Sequence, residues 1–450
     1  MLLAFVPISC VLAFSSKFYE RIIFTVLIFF TCRNQETINF ISFEDYRGTS
    51  RGYEVSIVDL MMLILLFVVM TNRKRYKKVY LLPPGSIFYF IYFIISILSI
   101  TQADIQLYAW AEVCKMARMY ICYWLMANWF QNEDNIEFFV RIIPLVVMYI
   151  FGYSFMQKYS WGIYQCPGPL PHQNSLVMYM IMYNGLIFSK LMNRKNNILE
   201  DFFVFGIFGL GSLCVMFTLS RAGLLCYAVC LVVIFFISFL SEFTIKKILL
   251  TLILSFFGVI IIGFAMKTLI QRFTRAPPQS AQTRVVLAQA AVNMADAGPL
   301  GIGLNNFGLK VNPPYHYADH IDRTKHFYKE GIVETIYLLI AAETGWFNLF
   351  IFLWWIFGFY GRSLLNIIRY RGKQLQYVAI ALVGSLTGVY LESTLEWVLK
   401  QTSNFYQLMI LFGIIAAMML KWRDEQRLAK KRKREEQDAT EGANPAEAVA

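Results

Sequence analysis

The chain has 450 residues, of which 58% are hydrophobic and only 16% are charged, with a mean hydropathy of +0.51. A soluble globular protein of this length would not be so apolar, so the composition excludes that class and indicates a polytopic membrane protein. The net charge of +12 lies in short clusters between apolar runs and in the C-terminal tail. This distribution is typical of basic cytoplasmic loops and argues against nucleic-acid binding.

Apolar runs long enough to cross a bilayer recur along the chain. Because about 20 helical residues cross the hydrocarbon, these runs predict an all-α membrane helix bundle of about 12 or 13 spans, depending on whether both short N-terminal runs cross. The predicted spans are 1–15, 20–32, 56–71, 85–101, 108–129, 137–156, 173–190, 202–218, 223–240, 248–266, 335–360, 376–395 and 404–420.

One long interval interrupts these runs and divides the chain. Residues 267–334 are too polar for a membrane and predict an extracytoplasmic loop with short helices. Residues 1–266 form the predicted N-terminal bundle, and 335–420 form the C-terminal helices. Residues 421–450 predict a disordered cytoplasmic tail.

Basic clusters predict how the bundle is oriented. The strongest cluster, Arg73–Lys78, is placed in the cytoplasm. Counting spans from it brings four other basic clusters to the same side: 190–195, 246–247, 362–373 and the tail from Lys421. The long loop, the 157–172 loop and the link before Gly223 then share the outer face.

Two arginines on that outer face are candidates for anion binding. Arg221 lies at the junction of two apolar spans, where a charged side chain is costly without a partner. Arg284 lies in a loop segment whose apolar spacing at 285, 286, 289 and 292–293 predicts an amphipathic helix resting on the membrane. Two converging guanidinium groups would bind a phosphate or diphosphate without a metal. The alternatives are an arginine that reaches the lipid headgroups and a solvated helix-face arginine.

Other polar residues mark the ends of outer spans. Glu334 opens the span after the loop and is a candidate proton acceptor, whereas Glu343 lies deeper and predicts a structural role. His172 and Asn174 open an earlier span, where they would bind sugar, exchange protons or cap the helix.

The loop also contains three histidines and a glycine-rich run. His316, His320 and His326 are possible substrate-binding residues, but their spacing matches no metal motif, so we predict no metal and no cofactor. The run Gly298–Phe307 follows a helix and lacks the lysine of a nucleotide-phosphate loop, which excludes that reading. Its glycines predict sharp turns against the bundle.

Several of these segments together resemble one family. They are Ser220–Gly223, Arg284 with Pro299–Phe307, Glu334–Gly345 and, upstream, Pro167–Asn174. In order and spacing they are similar to the O-antigen ligase and O-antigen polymerase superfamily over roughly residues 160–360.

The resemblance implies a metal-independent glycosyltransferase in the bacterial inner membrane, with its site facing the periplasm or cell exterior. Such an enzyme takes a glycan from an undecaprenyl-diphosphate carrier and passes it to a glycan or glycolipid acceptor, alone or with other polysaccharide-assembly proteins. On this reading Arg221 and Arg284 bind the diphosphate and stabilise it as a leaving group.

One departure from the family pattern concerns the base. Ligases of this family carry a His-Asn-like pair where this chain has Glu334 and Thr335. Either Glu334 acts as the base, which we favour, or a loop histidine does, or the chain is a polymerase-like relative with another acceptor. The competing classes are a transporter or flippase of lipid-linked sugar and a noncatalytic envelope-assembly scaffold.

Overall fold

The computed structural model describes residues 2–33, 37–43, 45–193, 196–256, 263, 278–321 and 331–442. Nearly all regular structure in these ranges is helical, and one two-stranded sheet accompanies it. The protein is therefore an all-α polytopic membrane protein, as predicted. Parts of the predicted span 248–266 and of the loop 267–334, including His326, lie outside the described residues.

The helices are named in chain order. They are α1 (Leu2–Ser15), α2 (Lys17–Phe30), α3 (Ile57–Thr71), α4 (Ser86–Leu98), α5 (Gln106–Trp129), α6 (Glu133–Tyr159), α7 (Gln173–Leu191), α8 (Ile198–Phe217), α9 (Arg221–Ser241), α10 (residues 245–256), α11 (Pro278–Ala295), α12 (Phe307–Lys310), α13 (Ile336–Thr344), α14 (Trp346–Arg369), α15 (Gln376–Glu392) and α16 (Thr402–Gly442). Two short 3₁₀ helices lie at Ser99–Gln102 and Val398–Lys400.

Five of the described helices are long and apolar enough to cross a membrane, namely α6, α8, α9, α14 and α16. Shorter apolar helices of 10 to 17 residues lie in α1, in α3 and in α4 with its 3₁₀ extension. The total of about 12 or 13 crossings stays a prediction.

The centre of the bundle is built from α7, α9 and α15. Small residues let these helices approach closely: a Cβ atom added at Gly388 of α15 would lie 2.8 Å from Ile181 of α7 and 3.0 Å from Cys230 of α9. Membrane helices associate through such contacts because lipid gives no hydrophobic drive for helix pairing. The packing fixes where α7 and α9 begin, and both begin at the same end of the bundle.

The basic clusters collect at the opposite end. Asn193, Lys247 and Lys373 line a cavity of about 420 Å³ where α7 and α9 finish. Lys78 lies 2.6 Å from Asp424, in the part of α16 that follows the last predicted span. The shared end agrees with the predicted orientation, and the compartment that each end faces stays a prediction.

The tail departs from the predicted disorder over its first part. Helix α16 continues to Gly442 instead of ending near residue 420. Ion pairs hold this extension against the bundle, including one of 2.8 Å between Lys373 and Glu425. Arg369 also stacks over Trp422. These contacts hold the start of the extension against the bundle, whereas residues 426–437 are exposed.

The predicted span 335–360 is two helices, because Gly345 breaks it. Gly345 has a φ of 87°, and a Cβ atom there would collide with the carbonyl oxygen of Pro299. Next to the break, the backbone N–H of Ile302 donates to Ala342 at 2.9 Å and that of Gly303 donates to Glu343 at 3.0 Å. The glycine-rich run therefore turns sharply against the bundle, as predicted.

The predicted apolar stripe of α11 is wrong. Val285 is 70% exposed, whereas Leu287, Ala290, Ala291 and Met294 are buried. The buried face packs on α13 and on the loop residues that follow α11. The predicted positions include the polar residues Gln289 and Asn293. The buried residues Leu287, Ala290, Ala291 and Met294 instead follow the i, i+3, i+4, i+7 spacing of one helix face, which the prediction overlooked.

A β-hairpin lies in the polar segment between α2 and α3, where no regular structure was predicted. Strand β1 (Thr37–Ser42) pairs antiparallel with β2 (Gly52–Ser56). The connection between the strands closes through a hydrogen bond of 2.8 Å from the Phe43 N–H to the Arg51 carbonyl. This hairpin packs beside α3 and α5 and brings its connection to the end where α7 and α9 begin.

The turn at Gly301 should be intolerant of a side chain. Its φ is 62° and a Cβ atom would collide with the carbonyl oxygen of Ala342, so Gly301→Ala is expected to destabilise the protein by about 1–3 kcal/mol. Thermal unfolding in one detergent measures the effect as a lower midpoint. Gly209→Ala, in α8 with no atom within 4 Å of the added Cβ, is the control and should keep or slightly raise the midpoint, because alanine favours a helix more than glycine does. Equal midpoints for both variants would show that the turn is not strained by a side chain.

Candidate active site

A cavity of about 1100 Å³ opens at the end of the bundle where α7 and α9 begin. Its lining comes from six parts of the chain. They are the hairpin connection (residues 43–51, between β1 and β2), the first residues of α7 and α9, the start of α11, the segment before α13 and the link between α15 and α16. The predicted site residues that line it are Arg221, Arg284, Glu334, His172 and Asn174. Six separate parts of the chain thus meet at one site.

Arg284 lies between two carboxylates in this cavity. Its Nε atom pairs with Glu334 Oε2, and its Nη2 atom donates to Glu396 Oε1 at 2.8 Å. The exposed fractions of the three side chains are 36% for Arg284, 32% for Glu334 and 6% for Glu396. The alternative of a solvated helix-face arginine is therefore wrong, because both ends of the guanidinium group have carboxylate partners.

Glu396 was not among the predicted site residues. It lies in the link between α15 and α16, and its burial raises the pKa of its carboxyl group to about 7. The Glu334 carboxylate adds to the rise, while hydrogen bonds from Asn174 and Arg284 oppose it. A carboxylate just after an outer span end is the same sequence signal that indicated Glu334, so that signal could have found Glu396.

Arg221 is the first residue of α9 and is half-buried. Ser220 caps the helix by accepting a hydrogen bond of 3.2 Å from the Gly223 N–H. Before it, Leu219 has a φ of 49°, a conformation that is costly for leucine and that makes the tight link between α8 and α9. Within the described ranges, no ion pair or hydrogen bond engages the Arg221 side chain. Its guanidinium and the positive end of the α9 dipole therefore both favour an anion here.

His172 and Asn174 are at the start of α7. His172 Nδ1 accepts a hydrogen bond of 3.3 Å from the Asn174 N–H, which confirms that His172 caps the helix. The Asn174 side chain is buried and contacts Glu396. Both residues line the cavity, and their roles toward a sugar stay predictions.

The described loop histidines lie away from the cavity. His316 pairs with Asp319 at 2.9 Å, and its side chain is 87% exposed. His320 donates from Nε2 to the Val286 carbonyl oxygen at 3.0 Å, which ties the loop to α11. Neither residue lines the cavity, and His326 lies outside the described residues. The structure thus gives His316 and His320 contacts within the loop in place of the predicted substrate contacts.

Arg47 and Arg51 line the same cavity and were also missed. Both come from the hairpin connection and have exposed side chains. The predicted topology put the segment before α3 on the outer face, and two arginines flanking Gly48 and Thr49 were a signal that could have identified them.

A group of buried charged residues lies in the bundle next to segments that line the cavity. On α5, Glu112 and Lys115 are fully buried and lie 2.6 Å apart. Lys400 lies 3.3 Å from Glu112 and 3.8 Å from Glu343. Glu343 is buried as predicted, but its carboxylate oxygens accept no hydrogen bond from the described residues, and its charged neighbour is Lys400. Charges removed from water persist only when opposite charges balance them, so this group holds α5, α13 and the Lys400 segment together.

Comparison with known families now bears on this site. Residues 205–353 match the family model described as O-antigen ligase. Over this part of the chain the sequence is similar to O-antigen ligases, and residues 205–353 are called the O-antigen ligase domain. The match confirms the resemblance seen in the sequence and supports glycan transfer of the O-antigen ligase type. A search of curated proteins found no match.

The O-antigen ligase domain contains only part of the cavity. Arg221, Arg284 and Glu334 fall within the matched residues. His172, Glu396 and the arginines of the hairpin connection fall outside them. The site is therefore completed by segments on both sides of the domain.

Proposed function

We propose that this protein transfers a glycan from a polyprenyl-diphosphate carrier to a sugar hydroxyl at the outer face of the bacterial cytoplasmic membrane. The observation that carries the proposal is the joint placement of Arg221, Arg284 and two carboxylates in one cavity of a chain with an O-antigen ligase domain. Its partners are the lipid-linked donor, a glycan or glycolipid acceptor and the bilayer.

The two arginines and the start of α9 bind the donor diphosphate. Arg221 offers a guanidinium group next to the backbone N–H groups of the first helical turn, an arrangement that suits phosphate oxygens. Arg284 offers a second guanidinium group once the diphosphate replaces one of its carboxylate partners. As the bond to the sugar breaks, negative charge grows on the diphosphate, and both arginines stabilise it.

Glu334 is the proposed base. It takes the proton of the acceptor hydroxyl while that oxygen forms a bond to the anomeric carbon. The bond from the anomeric carbon to the diphosphate oxygen breaks, and the diphosphate leaves with the electron pair. Glu334 is more exposed than Glu396 and so is more accessible to an acceptor. Glu396, paired with the same arginine, positions Arg284 and adjusts its charge balance.

The product distinguishes two forms of this reaction. Purified protein is given a polyprenyl-diphosphate-linked oligosaccharide and a second hydroxyl-bearing glycan, and the products are separated by size. A ladder on the carrier indicates a polymerase, and a single addition to the acceptor indicates a ligase. No new glycosidic product under either condition contradicts the proposed function.

Donor affinity should depend on pH through Glu396. Its pKa is raised to about 7, so the group gains a proton as pH falls through neutrality. Protonation removes a negative charge from the cavity and weakens its hold on Arg284, and both effects favour the diphosphate. The KM for donor is therefore expected to rise roughly three- to tenfold from pH 6 to pH 8. Steady-state kinetics across this range measure it, and Glu396→Gln should flatten the profile. A KM that falls with rising pH, or an unchanged profile in Glu396→Gln, would contradict this assignment.

A further inference from the structure

The hairpin connection contributes two arginines to the cavity that the proposed reaction does not use. Arg47 and Arg51 line the cavity from residues that follow β1 and precede β2. Within the described part of the chain, no carboxylate lies within ion-pair distance of Arg51. Arginine presents a planar group of five N–H donors that matches a carboxylate or phosphate.

The backbone that carries these arginines is held firmly. The Thr49 N–H donates to the side chain of Asn305 at 2.9 Å, and that side chain donates in turn to the Ser50 carbonyl at 3.0 Å. Lys115 donates to the Thr49 carbonyl at 2.6 Å from the buried charge group. A side chain on Gly48 would collide with Asn305. A fixed backbone lowers the entropy lost when the arginines bind a ligand.

The hairpin arginines approach the cavity from a different side than Arg221. The hairpin packs beside α3 and α5, whereas α9 packs on α7, α8 and α15. Helix α16 packs on both α5 and α7 and so lies between the two sides. A volume of about 1100 Å³ exceeds the 300–1000 Å³ typical of a small-ligand pocket, so the cavity has room for sugar rings beside a diphosphate.

The charges of the lining favour an anion on the hairpin side. Among the described residues, the lining has four arginines, at 47, 51, 221 and 284, and three glutamates, at 54, 334 and 396. Two of the glutamates are paired with Arg284. On the hairpin side, Glu54 is a described lining carboxylate, and it does not lie within ion-pair distance of Arg51.

We propose that Arg47 and Arg51 form a second anion-binding subsite that takes a carboxylate-bearing sugar of the transferred glycan or its acceptor. The inference deepens the proposed function, on which it rests, by naming the substrate class as an acidic glycan. The diphosphate binds on the Arg221 side, and the uronate carboxylate binds on the hairpin side.

Binding to the purified full chain tests the subsite without requiring turnover. The probes are a trigalacturonate, its carboxyl-reduced neutral form and inorganic pyrophosphate, each titrated by calorimetry at one ionic strength. The wild-type protein should bind the acidic trisaccharide roughly tenfold more tightly than the neutral one. Arg51→Ala alone, and the double variant Arg47→Ala with Arg51→Ala, should each reduce this preference to less than about twofold.

Pyrophosphate separates the two proposals and reports on folding. The Kd for pyrophosphate should be unchanged in the variants that lack Arg47 or Arg51. In Arg221→Ala this Kd should rise, while the preference for the acidic trisaccharide should remain. Arg73→Ala, with an exposed arginine that does not line the cavity, is the matched control and should change neither. Equal binding of the two trisaccharides by wild type, or a preference that survives loss of both hairpin arginines, would overturn the subsite. A third outcome separates the two proposals. If the protein does not bind pyrophosphate but still prefers the acidic trisaccharide, and loses that preference in Arg51→Ala, the subsite is supported and the diphosphate site is contradicted.

Discussion

Replacing Arg284 or Arg221 by alanine is expected to lower the rate of glycan transfer by about 100- to 1000-fold, or roughly 3–4 kcal/mol in the barrier. Each substitution removes a guanidinium group that stabilises the departing diphosphate, and Arg284→Ala also leaves Glu334 and Glu396 without their shared partner. The measurement is the initial rate with purified protein and a polyprenyl-diphosphate-linked oligosaccharide.

Two further variants control this result. Arg284→Lys keeps the charge but loses the two-sided contact with Glu334 and Glu396, so its rate should fall between those of wild type and Arg284→Ala. Arg73→Ala removes an arginine that does not line the cavity and should retain the wild-type rate. Membrane insertion and purification yield should be the same for all variants. Full activity in both alanine variants would contradict diphosphate binding by these residues.

Replacing Glu334 by glutamine is expected to lower kcat by about 100- to 10,000-fold without raising KM for the donor. The amide keeps the shape of the side chain and a hydrogen-bonding oxygen for Arg284, but it cannot accept the proton of the acceptor hydroxyl. Steady-state kinetics with saturating acceptor separate kcat from KM.

Glu396→Gln is the matched comparison because it changes the other carboxylate partner of the same arginine. Its main effect should fall on the KM for the donor and on its pH dependence, with a smaller loss of kcat. A kcat loss in Glu396→Gln that exceeds that of Glu334→Gln would show that Glu396 is the base. Loss of activity only upon substitution of a loop histidine would contradict both assignments.

The sequence predicted the features that follow from local polarity. Apolar runs placed the helices, and charged residues at the outer ends of those runs marked Arg221 and Glu334. The predicted amphipathic helix of the loop marked Arg284. The resemblance to O-antigen ligases selected the same three residues. That they line one cavity follows from helix packing, which no periodicity in the sequence expresses.

The features that were missed depend on contacts between distant residues. Asn305 anchors Thr49 across 256 positions, so nothing local to the hairpin connection shows where Arg47 and Arg51 will lie. Likewise, the break at Gly345 depends on the close approach of Pro299. Hydropathy is continuous across that glycine and predicts one helix where the structure has two.

Two groups of residues line the cavity, one inside residues 205–353 and one outside them. Residues 205–353 contain Arg221, Arg284 and Glu334, the residues of the proposed diphosphate site and base, and segments outside them contain Glu396 and the hairpin arginines. Variation in the outside segments could then change which glycan is accepted while the reaction stays the same.

The most direct test of the central claim is a stoichiometric measurement on purified protein in lipid vesicles. Donor, acceptor and products are quantified together after incubation with a polyprenyl-diphosphate-linked oligosaccharide. The account predicts one free polyprenyl diphosphate for each new glycosidic bond, in wild type but in neither Arg221→Ala nor Arg284→Ala. Movement of intact donor between leaflets without release of diphosphate would instead show a flippase and would contradict the proposed function.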